Sequence, residues 1–273
     1  MKSVIQSALF VPATRIDRIE KAMATGVDVV IVDFEDAVAI ETKEKAQAQF
    51  CQFLQTHQDI ALWVRVNGEK SAFFEKDLAF CAEFPQIKTV MLPKAESSEV
   101  IQQAAQLSQK KIFPLIESAK GIANLNAIVH TPAVIGVSFG ALDLAVDLGF
   151  EPQSEGGGVF LNQLRYQLIL QSRLAGIQAP LEAVYPDFKN IKAFFQHIQR
   201  SKQMGMAGAL CIHPQQVFAV QRALQPKEKQ IQWAKGVLAE YERTGLAAFA
   251  YEGQMVDLPV LTLAKALLNG DVS

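Results

Sequence analysis

Two acids in this chain stand where a hard metal ion could be held. Glu117 closes the apolar run 112–116, and Asp143 follows the apolar run 133–139 through Gly140, Ala141 and Leu142. Each run is apolar on successive residues, as expected of parallel strands buried on both faces. Two carboxylates at the same end of neighbouring parallel strands can share one divalent cation, with water and substrate oxygens completing its octahedron. The plainer alternative is that each acid caps the helix behind it. As a pair they point to a metal site.

Other polar residues recur at the ends of apolar runs. Arg65 and Asn67 end the segment ALWVRVN. A guanidinium there needs an anion, either a fixed carboxylate such as Asp33 or Glu35 or a substrate carboxylate or oxyanion. Lys94 follows the run 89–93 and suggests a rival chemistry, a Schiff base with a carbonyl substrate, unless it is paired with a neighbouring acid. That pairing is the preferred reading. Arg15, Arg18 and Lys21 recur every three residues and could meet phosphates, although such a stripe is more commonly a solvated face. His213 lies near a strand end before Pro214, but HExxH and paired metal-binding histidines are absent. Asp257, between Gly253 and Pro259, reads from spacing alone as a turn acid or helix cap.

The elements that must position these groups alternate strand with helix. Strands are expected at 8–13, 27–34, 61–66, 89–93, 112–116, 133–139, 181–185 and 209–213. Helices are expected at 16–25, 41–55, 73–83, 97–108, 121–130, 161–174, 191–204 and from Pro214 through Leu224. The segment EPQSEGGG reads as the loop into the sixth helix. This alternation predicts an α/β fold, a (β/α)8 TIM barrel over residues 1–224, whose active face lies at the strand carboxyl ends. A doubly wound open sheet is the runner-up, but no GxGxxG or GxxxxGK[ST] follows any strand. Residues 225–273 form a C-terminal helical extension or lid. It has helices at 226–244 and 260–268 and packs on the barrel or on a neighbouring subunit.

Composition narrows the class. The chain has 273 residues, 50% hydrophobic and 20% charged, which suits a soluble globular protein. A net charge of -2 offers no basic field for nucleic acid or an anionic membrane. The three cysteines lack CxxC spacing, so reduced thiols are expected rather than a disulfide frame or zinc site. The stretch MKSVIQSALFVP has too short an apolar run for a secretory signal, and no 18-residue apolar run occurs. A cytoplasmic protein is expected.

The segments LFVPATRIDRIEKA, DVVIVDFEDAV with Lys43 behind it, WVRVN, VMLPKAE, PLIESAKGIAN, FGALDLAVDLG, ALCIHPQQV and EGQMVDLP resemble, in that order, the blocks of the citrate lyase beta subunit-like family. This lies within the HpcH/HpaI aldolase/citrate lyase superfamily, whose members include malyl-CoA and citramalyl-CoA lyases. The resemblance spans essentially the whole chain. It implies a Mg2+-dependent barrel acting on an acyl-CoA thioester and a 2-oxo acid, assembled as a homotrimer or homohexamer. Glu117 and Asp143 match the family's metal ligands, and Arg65 its substrate arginine. Arg15 and Lys21 match basic residues near the CoA phosphates. Asp257 matches a catalytic aspartate delivered from an adjacent subunit.

There are departures from the pattern. Leu142 stands where an acid commonly precedes the metal-binding aspartate. Glu182 stands where many relatives carry Asp, after an unusual Pro180. The function implied is a carbon–carbon lyase cleaving or forming a β-hydroxyacyl-CoA such as malyl-, citramalyl- or citryl-CoA, giving acetyl-CoA and a 2-oxo acid. A malyl-CoA-type thioesterase and a non-catalytic acyl-CoA-binding protein are the alternatives.

Overall fold

Short parallel ladders between successive apolar runs build the architecture. The computed structural model describes residues 4–269. In chain order come β1 (Ser7–Pro12), α1 (Ile19–Met23), β2 (Val29–Asp33), α2 (Lys43–Thr56), β3 (Leu62–Arg65), α3 (Phe74–Glu83), β4 (Ile87–Leu92) and α4 (Ser98–Ser108). Then follow β5 (Lys111–Ile116), α5 (Ala119–Ala123), α6 (Leu125–Val129), β6 (Ser138–Phe139), α7 (Ala141–Leu148), α8 (Glu155–Ala175), β7 (Leu181–Glu182), α9 (Ile191–Met204), β8 (Gly208–Cys211) and α10 (Pro214–Leu224). The eight strands run β6-β5-β4-β3-β2-β1-β8-β7, every neighbouring pair parallel. Between the two ends of that order, the Leu181 N–H donates to Val137 O at 3.1 Å and the Gln178 N–H to Ile135 O at 3.1 Å. The sheet therefore closes on itself as a nearly complete TIM barrel with its helices outside.

Ala8, Ile31, Trp63, Met91, Phe113, Leu115, Leu181 and Leu210, from seven different strands, pack as one cluster. Only a barrel interior can bring them together. The alternate residues Val30, Val32, Val64 and Val90 are buried as well. Burial of both faces explains the unbroken apolar runs.

Several expected boundaries need correction. Helix 121–130 is two short helices, α5 and α6, with Asn124 between them. The run 133–139 keeps only Ser138–Phe139 as strand, plus an isolated bridge from Val134 to Ile112. The sequence EPQSEGGG is not all loop: Ser154 accepts from the Gly157 N–H and caps α8, which starts at Glu155. Spacing misled there because three successive glycines read as a breaker, whereas a cap and tertiary packing override propensity.

The chain divides into two compact units, one through Ala223 and one from Leu224. The second contains α11 (Glu228–Thr244), β9 (Phe249–Tyr251), β10 (Gln254–Val256) and α12 (Leu258–Asn269). Its own core gathers Ala234, Val237, Val256, Leu261, Ala264 and Leu267. The β-hairpin was not expected. Its two-residue turn has Glu252 at φ 46 and Gly253 at φ 77, the paired positive angles of a type I′ turn.

Candidate active site

Strand parity decides which polar groups reach the mouth of the barrel. Ile31, Trp63 and Leu115 belong to the interior cluster, so Asp33, Arg65 and Glu117, each two residues on, share that face. Asp33 and Arg65 are also register partners across β2 and β3. Arg65 Nε and Nη2 donate to Asp33 Oδ1 and Oδ2 at 2.7 and 2.6 Å, a bidentate fork. Its Nη1 lies 3.2 Å from Glu35 Oε2 and 3.9 Å from Asp36, and the guanidinium rests over the Phe10 ring at 4.9 Å. Burial opposes the charge, but Asp33 and Glu35 outweigh it and push the Arg65 pKa further up. The fixed carboxylate that Arg65 requires is thus present.

Glu117 is held on two sides. Its Oε2 accepts the backbone N–H of Lys94 at 2.8 Å. The Gly140 N–H donates to Ile116 O at 3.0 Å, which brings Gly140 directly beside Glu117. A Cβ on residue 140 would come within 2.6 Å of Glu117 Oε1, so only glycine fits without displacing the carboxylate. Burial first, then the negative charge of Glu35 and Asp143, push the Glu117 carboxyl up to about 8, against the pull of the Lys94 N–H. Glu35 is also raised, by burial above all, with Arg65 and Lys94 opposing. The mouth therefore carries more negative charge than its cations balance.

Glu35, Lys94, Glu117 and Asp143 line a cavity of about 950 Å³. Its acids are Glu35, Asp36, Glu69, Glu96, Glu117, Asp143 and Asp147, against the amines of Lys43, Lys70 and Lys94. Among the described residues, no group of three or more Asp, Glu, His or Cys is clustered so as to cage a metal.

The expected site residues are distributed unevenly. Glu117 and Asp143 share the cavity, and Arg65 joins them through Glu35, which contacts both Arg65 and Lys94. Asp143 does not sit at a strand end, however; it lies in the first turn of α7, a helix absent from the expected elements. The Lys94 ammonium donates to Glu35 Oε1 at 2.6 Å. Burial opposes that charge, but Glu35 outweighs it and raises the pKa, so the amine is protonated and a poor Schiff-base nucleophile. Arg15 and Lys21 are exposed and line no part of this cavity; Arg15 is paired with Asp17 at 2.8 Å. His213 follows the last strand by two residues and stacks on Phe188 at 5.2 Å. Asp257 lies in the second unit, where its Oδ1 accepts from the Val260 N–H at 3.4 Å as a cap of α12.

Sequence reasoning missed two supporting acids. Asp77, on α3, accepts from the Asn67 side chain at 2.6 Å and its backbone N–H at 3.0 Å, fixing the loop after β3. Asp147 accepts the Ala119 N–H at 2.7 Å, tying α7 to the start of α5. An acid in the first turn of a helix is so common that nothing marks Asp77. The i, i+4 spacing of Asp143 and Asp147 was a usable signal once α7 was recognised.

Known proteins resemble this chain over nearly its whole length. The citrate lyase subunit beta-like protein of Deinococcus radiodurans is 33% identical, covering 98% of this chain and 97% of its own length. The mitochondrial citramalyl-CoA lyase of Homo sapiens is 29% identical over 95% of this chain and 83% of its own. The crystal structure of protein CitE from Mycobacterium tuberculosis, in complex with magnesium, acetoacetate and coenzyme A, superimposes with a TM-score of 0.87 at 32% identity, covering 100% of both chains. The family model described as HpcH/HpaI aldolase/citrate lyase matches residues 6–214, essentially the whole barrel. With its closed parallel barrel and its acid-lined mouth, the chain belongs to the HpcH/HpaI aldolase/citrate lyase family of carbon–carbon bond-cleaving enzymes.

Proposed function

We propose that this protein is a Mg2+-dependent lyase that cleaves or forms a β-hydroxyacyl-CoA such as malyl-, citramalyl- or citryl-CoA, giving acetyl-CoA and a 2-oxo acid. The observation that carries this reading is the Glu117–Asp143 pair in the barrel mouth, with the Glu117 carboxyl pushed up to about 8 by burial and neighbouring acids. Such a cluster lacks a counter-charge. Oxygen-only donors, few in number, suit Mg2+, which keeps several water or substrate oxygens. The relatives' names and the magnesium, acetoacetate and coenzyme A of the CitE crystal structure support the same assignment.

Bound between Glu117 and Asp143, the metal would supply Lewis-acid polarisation of the oxygen that alternates between β-hydroxyl and ketone. Arg65 acts on the other product. Its fork gives two of five N–H groups to Asp33, and a remaining donor serves the enolate oxygen of acetyl-CoA as the carbon–carbon bond breaks. Asp33 and Glu35 hold that guanidinium in place, so little reorganisation accompanies the charge that develops. Asp257, from a neighbouring copy, gives the enolate carbon its proton in cleavage and removes it in condensation.

Arg15 and Lys21 meet the CoA phosphates, with Arg15 exchanging Asp17 for phosphate. The reading includes a homotrimer or homohexamer in which residues 225–273 act as a lid. Support for self-association comes from α8, where Val159, Tyr166, Leu170 and Leu174 stand exposed at helical spacing. No described helix is long and apolar enough to cross a membrane, and the three cysteines are free; a cytoplasmic setting suits those thiols.

The test is condensation in the forward direction. Acetyl-CoA is offered with glyoxylate, pyruvate or oxaloacetate, with Mg2+ or with EDTA, and the acyl-CoA formed is identified by mass. A Mg2+-dependent product with one of the 2-oxo acids is expected. Absence of condensation with all three, together with free CoA released from malyl-CoA, would make the protein a thioesterase.

A further inference from the structure

Lys94 occupies a backbone conformation that lysine avoids. It stands at φ 51, in the left-handed region, directly after β4 and Pro93. Only glycine, and to a lesser degree Asn and Asp, enters that region readily; β-branched residues are excluded from it almost completely. Residues kept there are over-determined by their surroundings and cluster at functional sites.

The surroundings identify the constraint. The turn at residue 94 sends two consecutive N–H groups to β5 and its end. The Lys94 N–H donates to Glu117 Oε2 at 2.8 Å, and the Ala95 N–H donates to Leu115 O at 3.1 Å. Meanwhile the side chain crosses to the loop after β2 and donates to Glu35 Oε1 at 2.6 Å. One residue thus fixes one carboxylate through its backbone and neutralises another through its ammonium. Gly140 limits Glu117 from the other side, so the Lys94 N–H decides how the free edge of that carboxylate is presented.

We infer that Lys94 is a positioning residue: its left-handed backbone aims the N–H that orients Glu117 for a divalent cation. This rests on Glu117 being a metal ligand. Outer-sphere partners of this kind alter metal affinity by about 10–100-fold. The inference makes an unusual demand, because affinity must follow the backbone preference of residue 94 and not its charge.

The experiment measures Mg2+ binding to the full chain by titration calorimetry in four variants, Lys94→Gly, Lys94→Asn, Lys94→Ala and Lys94→Val. All four lack the ammonium, so differences among them report the backbone. Lys94→Gly is expected to bind Mg2+ at least as tightly as the wild type, since a nearby positive charge has gone. Lys94→Asn follows closely, Lys94→Ala is weaker, and Lys94→Val is weaker than Lys94→Gly by about tenfold or more. If Lys94→Val does not fold, the Asn and Ala variants make the same comparison. Equal affinities across the folded variants, or a uniform loss in all of them, overturn the inference. Glu117→Gln is run alongside: wild-type Mg2+ affinity in that variant would show that Glu117 is no ligand, which is a separate failure.

Discussion

Protonation at Glu117 sets the pH behaviour of the site. Its carboxyl, pushed up to about 8 from an ordinary 4.5, holds a proton in the folded metal-free protein that the unfolded chain has already released at neutral pH. The folded state then binds more protons than the unfolded state between those two values, so stability without metal falls as pH rises through that window. With Glu117 as the proposed ligand, Mg2+ displaces that proton, so its affinity should rise with pH up to about 8 and then level off. Calorimetry below pH 8 in buffers of different ionisation enthalpy should show proton release on binding. An affinity independent of pH between 6 and 8 contradicts this. Two substitutions probe the same carboxylate. Glu117→Gln or Asp143→Asn should weaken Mg2+ binding and abolish turnover with the barrel intact. Gly140→Ala should weaken Mg2+ binding by an order of magnitude or so, because the new methyl meets Glu117 Oε1 at 2.6 Å. Arg65→Lys keeps charge but not the fork to Asp33, and kcat should drop by about 10²–10³-fold. A raised KM at unchanged kcat would assign Arg65 to substrate binding alone.

Between elements, a second buried ionic arrangement lies outside the mouth. Glu182 of β7 receives both Nε and Nη2 of Arg165 on α8 at 2.8 Å, and Ser201 Oγ on α9 at 2.6 Å. Burial alone would raise the Glu182 carboxyl, but His197 and Arg165 outweigh it and hold it at about 2. Its contribution to stability is therefore complete above the ordinary carboxylate range and disappears as pH falls toward about 2. Arg165→Met should cost about 3–5 kcal/mol in denaturant unfolding, and adding Glu182→Leu should recover much of it. Glu182 was noticed only as a departure from the usual Asp; its longer side chain is what meets Arg165 on the neighbouring helix. The strands were legible because burial on both faces writes an unbroken apolar run into each of them. Glu117 was legible for the same reason, as the first polar residue after such a run. Helix α7 was not, since Asp143, Asp147 and the exposed Leu142 and Val146 mix polar and apolar residues without a buried stripe. Lys94's left-handed turn could not be read either, because lysine carries no signal for positive φ.

For the whole molecule, the proposed role of Asp257 demands more than one chain. Asp257→Ala should keep Mg2+ and CoA binding but lose proton exchange at the acetyl-CoA methyl. Mixing it with Arg65→Ala after dissociation and reassembly should restore activity, because some sites then combine a wild-type Arg65 from one chain with a wild-type Asp257 from another. Verified hybrids as inactive as their parents would contradict the shared site, and normal turnover by Asp257→Ala alone would leave that residue as the cap of α12. The central claim, carbon–carbon cleavage through a Mg2+ site, is tested most directly by product stoichiometry. Malyl-, citramalyl- and citryl-CoA are each incubated with the protein, with Mg2+ and with EDTA, and acetyl-CoA, 2-oxo acid and free CoA are counted. One acetyl-CoA and one 2-oxo acid per thioester consumed, with Mg2+ only, is the predicted result. Turnover that yields free CoA and the intact hydroxy acid, or cleavage that persists in EDTA, would contradict it.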